Sequence, residues 1–168
     1  KQIGYELAGG LKVEKQTANA IYEGDNYREI FHRDLIDANK NVIISSPAIS
    51  GPKVNELINM LREKQMAGVQ VTIVTWTPDS YGFGDAAYWM QLHEDMRSTG
   101  FYIKTVEEHC DRFAVIDQEV VWYGNINLLA KDRADDSIMR VMSKEIAGEL
   151  MEITFENNNS GIAEYLDN

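Results

Sequence analysis

Two β-branched runs, NVIISS (residues 41–46) and QVTIVTW (residues 70–76), flank a sixteen-residue amphipathic stretch, and this arrangement narrows the possible folds most. Runs with few polar alternations read as strands covered on both faces. Between them, Pro52–Ala67 repeats apolar residues at Val54, Leu57, Ile58, Leu61 and Met66, the spacing of one helix face. Pro52 suits the first turn and Gly68 the stop. A strand, a helical crossover and a second strand form a right-handed unit with parallel neighbours.

The same logic extends along the chain. Asn26–Asn39 reads as a helix with Asp25 able to cap it, and Asp85–Ser98 as another, ended by Gly100. Phe101–Val106 reads as a strand. Arg112–Asp117 and Val120–Gly124 read as strands joined by a DQE turn too short for anything but an antiparallel hairpin. Leu128–Ser137 is a charged loop, Ile138–Met142 a further strand and Lys144–Phe155 a helix candidate. The expected class is α/β, a three-layer α/β/α sandwich on a mixed, largely parallel sheet. The expected organisation is an arm or linker over 1–20, one domain over 21–156 and a polar tail over 157–168. The sequence contains no internal repeat.

A formal net charge of −11 argues against a broad grip on nucleic acid by the whole surface, though a local basic site is compatible with it. No apolar run is long enough for a membrane span, so no membrane partner is expected. The start, KQIGYELAGG, lacks both an apolar signal region and an initiator Met, which reads as a piece of a longer chain. A single cysteine, Cys110, excludes an internal disulfide and a cysteine-cluster zinc site and points to a reducing, cytoplasmic setting. GxxxxGK[ST] is absent, so any ATPase activity belongs to another domain.

The candidate chemistry lies in CDRFAVIDQEVVWYGNIN, residues 110–127. In a hairpin, the start of the first strand adjoins the end of the second. Cys110, Arg112, Asn125 and Asn127 therefore gather at one end, with Cys110 and Arg112 on one side if the backbone is extended. Asp117 falls at the opposite end, in the turn. Arg supplies a rigid donor fork and the two amides neutral donors, a set suited to an oxyanion. Gly124 permits close backbone approach, and a nearby Arg can lower a thiol pKa. An ordinary hairpin edge remains the alternative. His32 reads as a surface or boundary residue and His93 as solvent-facing. His109 falls on the opposite strand face from Cys110. Trp76 and Trp122 read as core or sheet cover, and Tyr88-Trp89 as a mixed case.

These residues resemble the phospholipase D superfamily signature: His-x-Lys, four residues, Asp, then Gly-Ser or Gly-Gly followed by x-Asn. Arg112 falls on the lysine, Asp117 on the aspartate, Gly124 on the glycine, Asn125 on the serine and Asn127 on the asparagine. Cys110 falls on the nucleophilic histidine. FAVIDQEVVWYGNINLL and NVIISSPAI are similar to phospholipase D-like modules attached to DEAD/DEAH-type helicases and restriction-type nucleases. The resemblance implies a phospholipase D-like fold from about Tyr22 to Phe155. Catalytic positions would be Cys110, Arg112, Asp117 and Asn127, with phosphate held by Arg112, Asn125 and Asn127. It implies no metal and no cofactor. Active members use one histidine as nucleophile and a second as acid, and single-copy members pair two chains.

The departures shift the expectation. A thiol lacks the acid–base chemistry of imidazole near neutral pH. Arg112 and Asn127 keep phosphate binding. The expected function is a degenerate module of a larger helicase-like or restriction-type enzyme, binding phosphodiester backbone, DNA in preference to RNA, or mediating assembly. Its partners would be companion domains, including a helicase ATPase. The alternative is an active, metal-independent nuclease formed by homodimerisation.

Overall fold

Residues 20–80 and 85–156 are described by the structure, a computed structural model. The expected arm up to residue 19, the loop residues Tyr81 and Phe83, and the polar tail 157–168 lie outside the described residues.

The β-branched runs form strands and the amphipathic stretches form helices, with boundaries close to those expected. In order come β1 (Ala20–Glu23), α1 (Arg28–Ile36), β2 (Asn41–Ser45), α2 (Gly51–Met66), β3 (Gln70–Trp76), α3 (Ala86–Thr99), β4 (Tyr102–Val106), β5 (Phe113–Ile116), β6 (Val120–Gly124), β7 (Ser137–Met142) and α4 (Lys144–Met151). A 3₁₀ turn, Pro78–Ser80, precedes α3, and a π-helical turn, Glu152–Glu156, follows α4.

The strands form one mixed sheet in the order β1-β7-β6-β5-β2-β3-β4. Only β2/β3 and β3/β4 are parallel, and the other pairings are antiparallel. The expectation of a largely parallel sheet is thereby corrected. Parallel pairing needs a long crossover between neighbouring strands, and β2–α2–β3 and β3–α3–β4 supply one; α1 joins β1 to β2, which are not neighbours in the sheet. From β5 to β7 the chain returns through turns and loops. β1 was not expected: it is a four-residue edge strand whose AIYE alternates half-buried and exposed, too short for a periodicity signal.

Alternation along the strands divides the core between two faces. One side carries Val42, Ile44, Val71, Ile73, Ala114, Ile116 and Trp122 against α1, α2 and α3. The other carries Ile43, Val74, Phe113, Val115 and Val121 against Ala147 and Leu150 of α4 and Phe155. Three layers result, with one helical layer much thinner than the other.

Two side-chain expectations are overturned. His93 is not solvent-facing but 1% exposed, because it lies between Leu92 and Met96 on the buried stripe of α3. Asp25 does not cap α1: the cap position is Tyr27, with no side-chain bond, and only the backbone carbonyl of Asp25 accepts from Arg28 N–H. Trp122 is fully buried, and its Nε1–H donates to Asp34 Oδ2 at 2.8 Å. The same carboxylate accepts from Arg140 Nε (2.8 Å) and, through Oδ1, Nη2 (2.9 Å). This buried ion pair ties α1 to β7.

Candidate functional site

The register separates the motif between two rims. At one rim, β5 begins beside the end of β2, with Ser45 opposite Phe113, and beside the end of β6, with Phe113 opposite Tyr123. Gly124 in turn lies opposite Ile138 at the start of β7. Arg112, one residue before β5, enters between β2 and β6, and Gly124 N–H reaches its carbonyl at 3.5 Å. Asn125 and Asn127 leave β6 at this rim.

Asp117 lies at the opposite rim, in the hairpin turn. Its carboxylate accepts from the backbone N–H groups of Asn39 (3.1 and 3.0 Å), Lys40 (2.7 Å) and Asn41 (3.2 Å). Asp117 and Gln118 have φ of 55° and 60°, the left-handed region that Asp tolerates better than most residues. The carboxylate thus fastens the hairpin turn to the α1–β2 connection.

Arg112 is half-buried, and its Nε is buried without a hydrogen-bond partner among the described residues. No ion pair involves it among the described residues. The two amides are each partly committed. Asn125 Oδ1 accepts from Ser137 N–H at 2.8 Å and Asn127 Oδ1 from Ala48 N–H at 3.4 Å. Each leaves Nδ2 as a donor with no partner among the described residues. The rim therefore offers a guanidinium and two amides, all donors.

Gly124 serves the scaffold. A Cβ there would come within 2.3 Å of the Ser137 carbonyl and 2.6 Å of Ile138 Cα. The close approach it permits is that of β7.

Cys110 sits differently. Residues 107–112 are irregular, so strand alternation does not bring Cys110 and Arg112 to one side. The thiol packs against the α4-side core and lies 3.5 Å from Ser45 Oγ. The Ser45 hydroxyl also reaches the Asp111 carbonyl at 2.7 Å, and the thiol lies 3.8 Å from that carbonyl and 4.0 Å from that of Val74. Burial pushes the Cys110 thiol up, and the nearby Asp111 adds to this; Ser45 and Arg112 offset it only in part. The expectation of a lowered thiol pKa is overturned: Cys110 is a protonated, poorly nucleophilic thiol near neutral pH. His109 is largely exposed and 3.1 Å from Asp111.

The charged loop after Asn127 is pinned through a residue that was not singled out from the sequence. Asp132 Oδ1 accepts from Tyr27 O–H at 2.7 Å and from Lys53 Nζ at 3.1 Å. Burial and the Asp132 carboxylate hold the Tyr27 phenol well above its usual range. Nothing local in KDRADD distinguishes Asp132 from Asp135 and Asp136 as the one with such partners. Among the described residues no cluster of His, Cys, Asp or Glu is placed to hold a metal, and no helix is long and apolar enough to cross a membrane.

No protein-family model and no curated protein matches the sequence. Solved structures do match the fold. The phospholipase D family member Nuc from Salmonella typhimurium superposes with a TM-score of 0.60 at 14% identity, covering 80% of this chain and 91% of that one. NucT from Helicobacter pylori gives 0.55 at 11% identity, covering 81% of this chain and 92% of that one. TrmBL2, an archaeal chromatin protein whose structure shows a novel mode of DNA binding, gives 0.60 at 12% identity; the match covers 92% of this chain and 62% of that one. Strand order, layers and these superpositions together identify the fold of this chain as phospholipase D-like.

Proposed function

We propose that this chain is a phospholipase D-like module that holds a phosphodiester backbone, DNA in preference to RNA, and does not cleave it. One observation carries the reading: Arg112 precedes β5 at the rim where Asn125 and Asn127 leave β6, and its Nε is buried with no hydrogen-bond partner among the described residues. A buried donor without a partner is costly, and a phosphate oxygen removes that cost. The protonated Cys110 supports binding without cleavage. Likeness to a DNA-binding chromatin protein is consistent with nucleic acid as the partner. The reading extends to a larger helicase-like or restriction-type enzyme, whose other domains supply the motor.

A second reading, a metal-independent nuclease assembled from two chains, is favoured by His109, whose imidazole is exposed and paired to Asp111 beside the motif. Both readings meet one experiment. Labelled single- and double-stranded oligonucleotides are titrated over a range of salt with wild type, Arg112→Ala, Arg112→Lys and His109→Ala, and the same mixtures are run for cleavage in EDTA. Losing a charge-assisted contact of about 1.5–3 kcal/mol weakens binding by roughly 10- to 100-fold, and the salt slope falls by about one for Arg112→Ala. Equal binding by wild type and Arg112→Ala at every salt concentration sinks the first reading. Wild-type cleavage lost in His109→Ala establishes the second.

A further inference from the structure

We propose, resting on the phosphodiester reading above, that the strand held at the Arg112 rim is unpaired, and that Tyr123 and Tyr88 stack on its bases, one from each side of the sheet. Residues 110–127 hold one cation, Arg112, against Asp111, Asp117 and Glu119. So little positive charge gives a weak ionic hold on a polyanion. Aromatic faces add to that hold without charge, and they do so where bases are free of a duplex stack.

Tyr123 precedes Gly124 at the end of β6 and lies opposite Phe113, the residue after Arg112. Residues directly opposite share a face, so Tyr123 stands on the α4 side with Phe113. Phe113 is buried there, yet Tyr123 is 42% exposed: the thin helical layer stops short of its ring. Tyr88 comes from α3, in the opposite layer. A Cβ on Gly51 would collide with its hydroxyl, so the phenol lies against the first residue of α2. Just before Gly51, Ser50 N–H donates to the Leu129 carbonyl at 2.7 Å, and Ala48 N–H reaches Asn127 Oδ1 at 3.4 Å. The 48–51 turn thus joins Tyr88 to the segment that carries Asn127. The Tyr88 ring is 51% exposed, and the Trp89 ring stands 5.3 Å from it at an angle of 59°. Two open aromatic faces therefore flank the donors of the rim. A duplex keeps its bases stacked inside and offers these rings nothing; an unpaired strand offers both a base.

The test uses the full chain and three fluorescent ligands: oligothymidylate, an abasic strand of equal length, and a duplex. The abasic strand keeps the phosphates and lacks the bases. Wild type is expected to bind oligothymidylate more tightly than either of the others. Tyr123→Ala and Tyr88→Ala should each weaken oligothymidylate binding by roughly 5- to 100-fold, narrowing its advantage over the abasic strand. Tyr123→Phe and Tyr88→Phe should restore it, because stacking needs the ring and not the hydroxyl. Both side chains lie outside the core, and circular dichroism checks the fold. Equal binding of oligothymidylate and the abasic strand by wild type overturns the stacking, as does a loss that the phenylalanine variants share with the alanine variants. Failure of the phosphate reading looks different: wild type and Arg112→Ala then bind the abasic strand alike. Sedimentation of the protein without ligand gives another refutation: a dimer dissolved by Tyr123→Ala would assign that ring to a second copy.

Discussion

Asp117→Ala separates folding from binding. The wild-type carboxylate serves three backbone donors at 2.7–3.2 Å, two of them exposed. At about 0.5–1 kcal/mol net for each, near the lower end of the usual range because water can replace the exposed pair, their loss amounts to about 2 kcal/mol. Alanine at φ 55° adds about 1 kcal/mol of left-handed strain. The expected destabilisation is about 3 kcal/mol. Asp117→Gly loses the bonds without the strain and should cost about 2 kcal/mol. Urea denaturation followed by tryptophan fluorescence reads these as midpoint shifts of roughly 1–3 M. Oligonucleotide binding, measured where the variants remain folded, should match wild type, because Asp117 and Arg112 lie at opposite rims. An unchanged midpoint would refute the hydrogen-bond account. A variant of wild-type stability that no longer binds DNA would refute the separation of the rims.

Two further outcomes follow from the buried positions. Gly124→Ala places a Cβ within 2.3 Å of the Ser137 carbonyl. It should destabilise by about 1–3 kcal/mol through forced strand displacement, read as a lower thermal midpoint, and a wild-type midpoint would contradict the packing argument. His93 is held neutral, pushed down to about 4 by burial and then by Arg97. The unfolded chain binds its proton near 6.5, so this contribution to stability is complete above that pH and declines as pH falls toward 4, by about 2 kcal/mol at pH 5. Chemical denaturation at pH 7 and pH 5 should therefore show a smaller pH dependence in His93→Gln than in wild type, and equal slopes would reject the assignment.

What could be read from the sequence divides along physical lines. β2, α2 and β3 were legible because β-branched content and a helical stripe are local signals. The direction of the sheet was not: β2–β4 are joined by crossover helices, whereas β5–β7 are joined by turns and loops that impose antiparallel pairing. Arg140 shows an intermediate case. Alternation in IMRVM puts it on the same face as Ile138, which demands a buried counter-ion, but nothing local identifies Asp34, 106 residues away, as the partner. At the candidate site, Asp117 lies in the turn at the far end of the hairpin from Arg112, as hairpin geometry requires. Cys110 precedes β5 in irregular chain, where strand alternation has no force.

This geometry changes how the motif should be weighed. A signature with four matched positions invites the inference that catalysis has been kept apart from one lost histidine. Yet Asp117 is accounted for by three backbone N–H groups at the far rim, and Gly124 by its distance to β7. Both would be required in a protein that never touched phosphate. Asn127 is partly explained in the same way by Ala48. Among the matched motif residues, Arg112 alone has a polar atom that is buried with no hydrogen-bond partner among the described residues. Its substitution, rather than that of Asp117, is the discriminating one. If Arg112→Ala is as stable as wild type or more stable, and binds DNA less, the guanidinium is kept for a ligand at a cost to folding. If Arg112→Ala loses stability instead, the side chain belongs to the scaffold, and the motif carries no argument for phosphate.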